Sequence, residues 1–296
     1  MRFETLSRKI FKIFNTAFLL LITLTCILPF VHLLAVSLSS NAYAMSGEVT
    51  FWPKGFTLEA YRFLAGKSEF IKATGISIQR VVLGTIISIF VVVLTAYPLS
   101  KSNYQFKYRT AYVWIFAFTM FFSGGLIPTF MIIRYLGMID SITALTIPVA
   151  MNIWNVVMMI NFFRNVPKEL EESALLDGAG HFRILFKIYL PVSLPSIATL
   201  LLFTIVFHWN SWFDGIIYMN SPDKYPLQSY IYTMINSIKA MTQKRITRQD
   251  LELLKSLSDK TLRTAQIFLA MVPVMLVYPF LQKYFIKGIV LGSVKE

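Results

Sequence analysis

Apolar residues dominate this chain in six long runs that are separated by polar segments. Each run is near or above the roughly 20 residues that a helix needs to cross a hydrocarbon layer of about 30 Å. The runs fall at about 13–38, 76–99, 111–133, 142–163, 193–219 and 264–286. The pattern predicts an all-α membrane protein with six transmembrane helices.

Composition agrees with a membrane location, since 56% of the residues are hydrophobic and only 15% are charged. Such a chain has too little polar surface to coat a soluble globule. The first apolar run is longer than the roughly 7–15 residues of a signal-peptide core, so we expect a retained helix. We divide the chain into a first helix with an outer loop, 1–75, and a five-helix core, 76–296.

The distribution of Lys and Arg bears on orientation, because short cytoplasmic segments carry an excess of positive charge. With the amino terminus inside, these residues divide evenly between the two sides, largely because many lie between 220 and 263. Short segments near the start of a chain have more influence on its orientation. The basic residues in those segments are Arg2, Arg8, Lys9, Lys12, Lys101, Lys107 and Arg109. They predict that both termini are cytoplasmic.

Several functions are disfavoured by the residues present. The net charge of +13 is dispersed between the apolar runs, which favours contact with anionic lipid head groups over nucleic acid. Gly66-Lys67-Ser68 lacks the earlier glycine of a phosphate loop, because position 61 is Tyr. The histidines lie in different segments and have no metal-ligand spacing, and no catalytic constellation is visible.

Two polar clusters lie within the apolar runs, where polar groups usually face a partner helix or a water-filled path. Aromatic faces beside amide and carboxylate groups suit the binding of sugar rings and their hydroxyls. The candidate substrate-path residues are Asn152, Trp154 and Asn155 in the fourth run, and Trp209, Asn210, Trp212 and Asp214 in the fifth. The alternatives are an interhelical hydrogen bond for the first cluster and an interfacial aromatic belt for the second.

Residues 164–192 form a charged, glycine-interrupted segment between two apolar runs. A helix is predicted to begin near Pro167, with acidic residues in its first turns, and to end at Gly178-Ala179-Gly180. A second helix should follow, with one apolar stripe at Phe182, Leu185, Phe186 and Tyr189. The segment is suited to dock into a groove on a partner, although it could also be a loop that only joins two spans.

The same segment resembles the EAA loop of ABC importer permeases. The matching residues are Glu172-Ser173-Ala174, Asp177-Gly178-Ala179, Ile188 and Leu190-Pro191, with Ser173 in place of the usual Ala. Further similarity lies in 122–128, 209–212 and 282–295. Together these are similar to the carbohydrate-uptake permeases of the maltose-permease type, in the oligosaccharide branch with the LplC, YtcP and alginate permeases.

The resemblance implies a type I ABC importer permease fold in a bacterial inner membrane. It implies four kinds of partner: a second homologous permease, two ABC ATPases, an extracytoplasmic solute-binding protein and an oligosaccharide substrate. This chain would not be an enzyme and would bind no cofactor, since ATP and Mg would be used by the ATPases. The residues that it assigns to ATPase coupling are Glu172, Ser173, Ala174, Asp177, Gly178 and Ala179, and the tail 287–296 would reach towards the ATPase interface.

The alternative function is secondary transport driven by an ion gradient. Such a transporter would be expected to carry paired intramembrane carboxylates and an inverted repeat. The sequence offers one candidate carboxylate, Asp214, and no clear repeat. The sugar is left open, with the basic segment 239–263 a weak indication of an acidic oligosaccharide or an acidic docking surface.

Overall fold

The structure of the chain is a computed structural model that describes residues 6–242 and 260–293. All regular secondary structure within these ranges is helical. Among the described residues, three helices are long and apolar enough to cross a membrane in one piece. They are α1 (Leu6–Ser37), α4 (Ser68–Ser100) and the Lys260–Phe280 part of the last helix, α15 (Lys260–Ser293).

Sharp bends between helices occur within the third apolar run and at the start of the fifth. In the third apolar run, α5 (Arg109–Phe121) and α6 (Leu126–Tyr135) differ in direction by 114°. Gly125 lies at this break with a φ of 84°, a backbone conformation that glycine adopts without steric cost. At the start of the fifth run, the preceding segment His181–Val192 meets α12 (Leu194–Asn210) at 82°. Pro195 stands in the first turn of α12, where its missing N–H needs no partner.

The predicted fourth span is also divided. A short helix α7 (Ile142–Thr146) is followed by α8 (Ile153–Arg164), which begins with a side-chain cap from Asn152. The remaining helices of the described chain are α2 (Asn41–Met45), α3 (Glu59–Gly66), α9 (Lys168–Leu176), α10 (His181–Ile184), α11 (Leu190–Val192), α13 (Phe213–Tyr218) and α14 (Leu227–Thr242). A π-helical turn lies at Leu185–Tyr189 and a 3₁₀ turn at Pro222–Lys224. Six spans with cytoplasmic termini stay a prediction.

The chain forms two compact units. The first holds the described residues up to Ser68 and those between Ile231 and Val272, and the second holds Glu69–Tyr230 and the described residues from Pro273. The division at 75/76 that we drew from the sequence also stays a prediction. In the first unit, the loop after α1 folds back, because Thr50 O bonds to the His32 ring (2.7 Å) and the Ser37 hydroxyl bonds to Tyr61 (2.7 Å).

The second unit has its main apolar core around the carboxy-terminal half of α4. Buried side chains of α4, α8, α10, the π-helical turn and α12 meet there, together with one residue that follows α8. These are Val92, Val93, Ala96, Tyr97, Leu99, Val156, Met159, Ile160, Phe163, Val166, Ile184, Leu185, Tyr189 and Leu200. Segment 181–192 is therefore packed into the body of this unit.

Candidate functional site

Helix α9 and the glycine elbow after it form the first half of the EAA-like segment. The helix ends in a Schellman motif, in which Ala179 N–H donates to Ala174 O (2.9 Å) and Gly178 N–H donates to Leu175 O (3.0 Å). Gly178 adopts a φ of 73°, as the residue after the C-cap of such a motif must. The predicted end of this helix is confirmed in detail.

The second half of the segment differs from the prediction. The expected single stripe of Phe182, Leu185, Phe186 and Tyr189 is wrong, because Leu185 and Tyr189 are buried while Phe182 and Phe186 are 72% and 49% exposed. A π-helical turn lies at Leu185–Tyr189. Leu185 and Tyr189, four residues apart, both pack into the core, while Phe182 and Phe186, also four apart, both face outward. The core therefore covers only one side of the stripe.

The coupling residues predicted from the resemblance lie together on the outside of this segment. Glu172, Ser173, Asp177 and Gly178 are exposed, whereas Ala174 and Ala179 are half-buried against the core. Large apolar side chains accompany them at the surface, with Leu176 90% exposed at the end of α9. The elbow thus exposes acidic, small and apolar groups, and its backbone is held by the hydrogen bonds of the Schellman motif.

Glu171, next to the exposed Glu172, anchors the segment to the end of α4. Its carboxylate accepts a hydrogen bond from Lys101 Nζ (2.8 Å) and another from the Tyr189 hydroxyl (2.5 Å). Lys101 also donates to Tyr189 (2.9 Å) and lies 4.1 Å and 4.0 Å from the ring centroids of Tyr97 and Tyr189. The side chains of Lys101 and Glu171 are only 6% and 7% exposed. We call Lys101, Glu171 and Tyr189 the inner clamp.

The pKa values in the inner clamp have opposing causes. Burial raises the pKa of Glu171, but the hydrogen bonds from Lys101 and Tyr189 and the charge of Lys101 more than offset this, so the pKa lies below its usual value. Burial lowers the pKa of Lys101, and the partnership with Glu171 opposes that effect. The lowered pKa of Glu171 keeps its carboxylate ionised near neutral pH.

A cavity of about 330 Å³ contains the first cluster of predicted substrate-path residues. Its lining consists of Ser88, Val149, Asn152, Trp154, Asn155, Phe203, Thr204 and Phe207. The rings of Trp154, Phe203 and Phe207 are 59%, 40% and 44% exposed and form its open rim. Amide and hydroxyl groups lie beside an aromatic rim, an arrangement that can bind the polar edges and apolar faces of one ligand.

The two asparagines of this cavity also have structural roles. Asn152 Oδ1 accepts a hydrogen bond from the Asn155 backbone N–H (3.2 Å) and so caps α8. Asn155 Nδ2 reaches Thr204 Oγ1 across to α12 at 3.5 Å. This contact is the interhelical hydrogen bond that the sequence offered as the alternative role for this cluster.

The second predicted cluster is organised around a helix break. Helix α12 ends at Asn210 and α13 begins at Phe213. Trp209 is 4% exposed, Trp212 is 37% exposed and Asn210 is exposed. None of them lines the cavity of the first cluster, so the structure does not bring the two clusters into one site.

Asp214 of this cluster forms an ion pair with Arg80 of α4, whose side chain is wholly buried. Arg80 donates from both terminal nitrogens to the two carboxylate oxygens, and Nη1 also donates to Ser211 O (3.3 Å). The Ser211 hydroxyl (3.3 Å) and the Gly215 N–H (3.0 Å) donate to Asp214 as well. We call Arg80 and Asp214 the outer clamp.

Sequence reasoning missed Arg80, Phe203 and Phe207. Arg80 lies four residues into the predicted span 76–99, where it resembled a flanking charge. An arginine inside an apolar run, with a lone aspartate in another run, is the signal that could have paired them. Phe203 and Phe207 are four residues apart on α12, and their spacing alone could not distinguish a cavity rim from a lipid-facing surface.

Comparison with known families gives a match over residues 80–291 to the family described as "Binding-protein-dependent transport system inner membrane component". The match includes both clamps, the cavity and the EAA-like segment. Two proteins of Bacillus subtilis (strain 168) are similar over nearly their whole length. One is the polygalacturonan/rhamnogalacturonan transport system permease protein YtcP, 39% identical over 98% of this chain and 100% of its own. The other is the protein LplC, which is 36% identical over 99% of this chain and 97% of its own length.

A solved structure agrees with these relatives. One chain in the crystal structure of a bacterial ABC transporter involved in the import of the acidic polysaccharide alginate superposes with a TM-score of 0.83. It is 31% identical in sequence, and the match covers 96% of this chain and 100% of that chain.

The inner clamp predicts a large cost for removing one of its charges. Lys101→Met leaves the Glu171 carboxylate buried without its cation, which should cost about 3–5 kcal/mol of stability. Glu48→Gln is the matched control, because the Lys54–Glu48 pair (3.2 Å) is about half exposed and should contribute only about 0–1 kcal/mol. Thermal unfolding of the purified protein in mild detergent measures both. Equal, small shifts in the midpoint would contradict the structural role of the clamp.

Proposed function

The chain belongs to the family of binding-protein-dependent transport system inner membrane components. From this premise we propose that it is one of two permeases in an ATP-driven importer of oligosaccharides. An extracytoplasmic binding protein delivers the sugar, a second homologous permease completes the path, and two ATPases drive the cycle with ATP and Mg.

Family membership confirms the main expectations from the sequence. The chain is an all-α, multi-pass permease subunit of an ABC importer in the inner membrane. It is not an enzyme, since members of this family are the membrane-spanning components and ATP hydrolysis belongs to the partner ATPases. The gradient-driven alternative is not favoured.

The proposed coupling mechanism rests on one observation, the contrast between the two faces of α9. Glu171 on the inner face is buried in a salt bridge, while Glu172, Asp177 and Gly178 on the outer face are free to meet another protein. Because the elbow is anchored, a displacement imposed on it would also displace the helices packed against it. An unanchored loop would deform instead. The ATPase is therefore the partner that fits this face. The tail 287–296, expected to reach towards the ATPase interface, falls partly outside the described residues, which end at Ser293.

The proposed sugar path runs along the cavity of α8 and α12. Asn152, Asn155 and Thr204 bring amide and hydroxyl groups to its lining, which can hydrogen-bond the hydroxyls of a sugar. The rings of Trp154, Phe203 and Phe207 can stack on sugar faces. Polygalacturonan, rhamnogalacturonan and alginate, which the similar proteins are named for, support an oligosaccharide substrate. Trp209, Asn210, Trp212 and Asp214 stay candidates for the outer part of the path.

Purification of the tagged chain from its native membrane tests the assembly. A second permease and an ATPase should come with it in about 1:1:2 proportion by mass spectrometry, the ratio that the resemblance implies. Uptake by the host should require ATP and survive collapse of the proton and sodium gradients. Isolation of the chain alone, with uptake that follows an ion gradient, would contradict the importer.

Gly178→Asp should abolish uptake and leave the complex assembled. A Cβ at Gly178 meets no atom within 4 Å, and Asp tolerates a positive φ better than most residues, so the fold itself accepts the change. The loss would arise where the elbow seats on the ATPase. Gly137→Asp is the matched control, because Gly137 has a φ of 67° and equally open space but lies outside the elbow. Normal uptake by Gly178→Asp, or equal loss in both variants, would refute the docking role.

Trp154→Ala should weaken sugar transport without loss of assembly. Removal of one stacking ring costs about 0.5–1.5 kcal/mol, so the KM for uptake of an oligogalacturonide should rise several-fold. Trp114→Ala is the control, since Trp114 of α5 is 71% exposed and does not line the cavity. Uptake assays with oligogalacturonide and with maltotriose also distinguish an acidic from a neutral path. An unchanged KM in Trp154→Ala would remove this cavity from the path.

A further inference from the structure

Helix α4 connects three features of the second unit. Lys101 of the inner clamp follows its cytoplasmic end, Ser88 lines the cavity, and Arg80 of the outer clamp lies towards its other end. At 1.5 Å per residue, positions 80 and 101 are about 30 Å apart along the axis. One continuous helix therefore runs past the EAA-like segment, the cavity and the break between α12 and α13.

The contacts at the outer end are directional. Two donors of the Arg80 guanidinium bind one carboxylate, and one of them also binds the Ser211 carbonyl that α12 leaves unpaired at its end. Such a bidentate pair fixes orientation as well as distance. Ser77, one turn earlier on α4, accepts the Leu227 N–H at 2.7 Å and so holds the start of α14. The Trp212 carbonyl accepts from the Ser229 hydroxyl at 2.6 Å, which closes the break from the α14 side.

The break lies close to the cavity, so these contacts bear on the proposed sugar path. Asn210 and Trp212 flank the break, and Phe207 of the cavity rim is one turn before Asn210 on α12. A shift of Arg80 along the axis of α4 would pull on the Ser211 carbonyl and on Asp214 together. The outer end of the cavity wall would move with it.

We propose that α4 acts as a rigid rod that transmits movement from the inner clamp to the outer clamp. The inner clamp receives the movement of α9, and Arg80 delivers it through Asp214 and Ser211 to the broken helix at the outer end of the path. Arg80 is then a positioning residue, which acts on the path through other groups. This inference rests on the proposed function, because it takes the push on α9 to come from the ATPase.

The purely structural explanation of the outer clamp makes a different prediction. A buried ion pair can often be replaced by apolar residues of similar volume without loss of stability. If Arg80 and Asp214 only fill space, the double variant Arg80→Met/Asp214→Leu should assemble and move normally. If they transmit movement, that variant should assemble, but the break between α12 and α13 should no longer move. The reason is that apolar side chains cannot hydrogen-bond the Ser211 carbonyl.

The test uses a reporter cysteine at the break in the whole complex. Phe213→Cys, in a Cys26→Ser background, replaces an exposed residue of α13 outside the cavity. The rate of its reaction with a membrane-impermeant maleimide is measured in proteoliposomes, without nucleotide and with ATP plus vanadate, together with ATP hydrolysis. With the outer clamp intact, we expect the nucleotide to change the rate at least about tenfold, a difference of about 1.4 kcal/mol in the free energy that controls access.

Arg80→Met/Asp214→Leu should reduce that change to less than about twofold while ATP hydrolysis continues. Arg80→Lys keeps the charge but loses the bidentate grip, so its response should be intermediate. Asp140→Asn/Lys224→Gln removes an exposed ion pair of the same unit and should keep the full response. A full response in the Arg80/Asp214 double variant would overturn the inference. A complex that hydrolyses no ATP even with the clamp intact would instead contradict the proposed function.

Discussion

A polar group inside a hydrocarbon layer must find its partner within the protein, and this constraint organises the second unit. Arg80 lies within α4 and Lys101 follows its end, and each cation is neutralised by a carboxylate far away in sequence, Lys101 by Glu171 and Arg80 by Asp214. Each carboxylate lies in a segment that would otherwise be loosely held, the EAA-like elbow and the break after α12. The clamps attach these irregular segments to a regular helix.

The same constraint explains how the helices are interrupted. The break after Asn210 would leave carbonyl groups unpaired, and Arg80 and Ser229 bind those of Ser211 and Trp212. At the elbow, the Schellman motif pairs the last groups of α9 with its own backbone. Irregular backbone in a membrane protein is tolerated where protein groups satisfy it, and such places commonly border a path for solute.

Part of this architecture could be predicted from local sequence. The spacing from Glu172 to Pro191 identified the elbow, and Gly178 marked the helix end, because a Schellman motif depends on a few adjacent residues. The apolar runs indicated the membrane helices. Asn152 and Asn155 were located as polar groups at depth, and the structure places both on one cavity.

The rest depends on contacts between distant residues. The pairing of Arg80 with Asp214 crosses 134 positions, and no local pattern specifies it. Leu185 and Tyr189 are in the core while Phe182 and Phe186 are outside it, and only the neighbours that the fold supplies determine which side of the apolar stripe is covered. Glu171 and Glu172 are adjacent acidic residues, and only the fold determines which of them is buried.

The central claim is that α9 and α4 move as one body. Spin labels at Gly75→Cys on α4 and Leu176→Cys at the end of α9, in a Cys26→Ser background, report it by double electron–electron resonance. Both sites have room, since a Cβ at Gly75 meets no atom within 4 Å and Leu176 is 90% exposed. Between the nucleotide-free and ATP-bound complexes, the distance between these labels should change by less than one helical turn, about 5.4 Å. A larger change would show that the elbow moves independently of α4 and would contradict the rod.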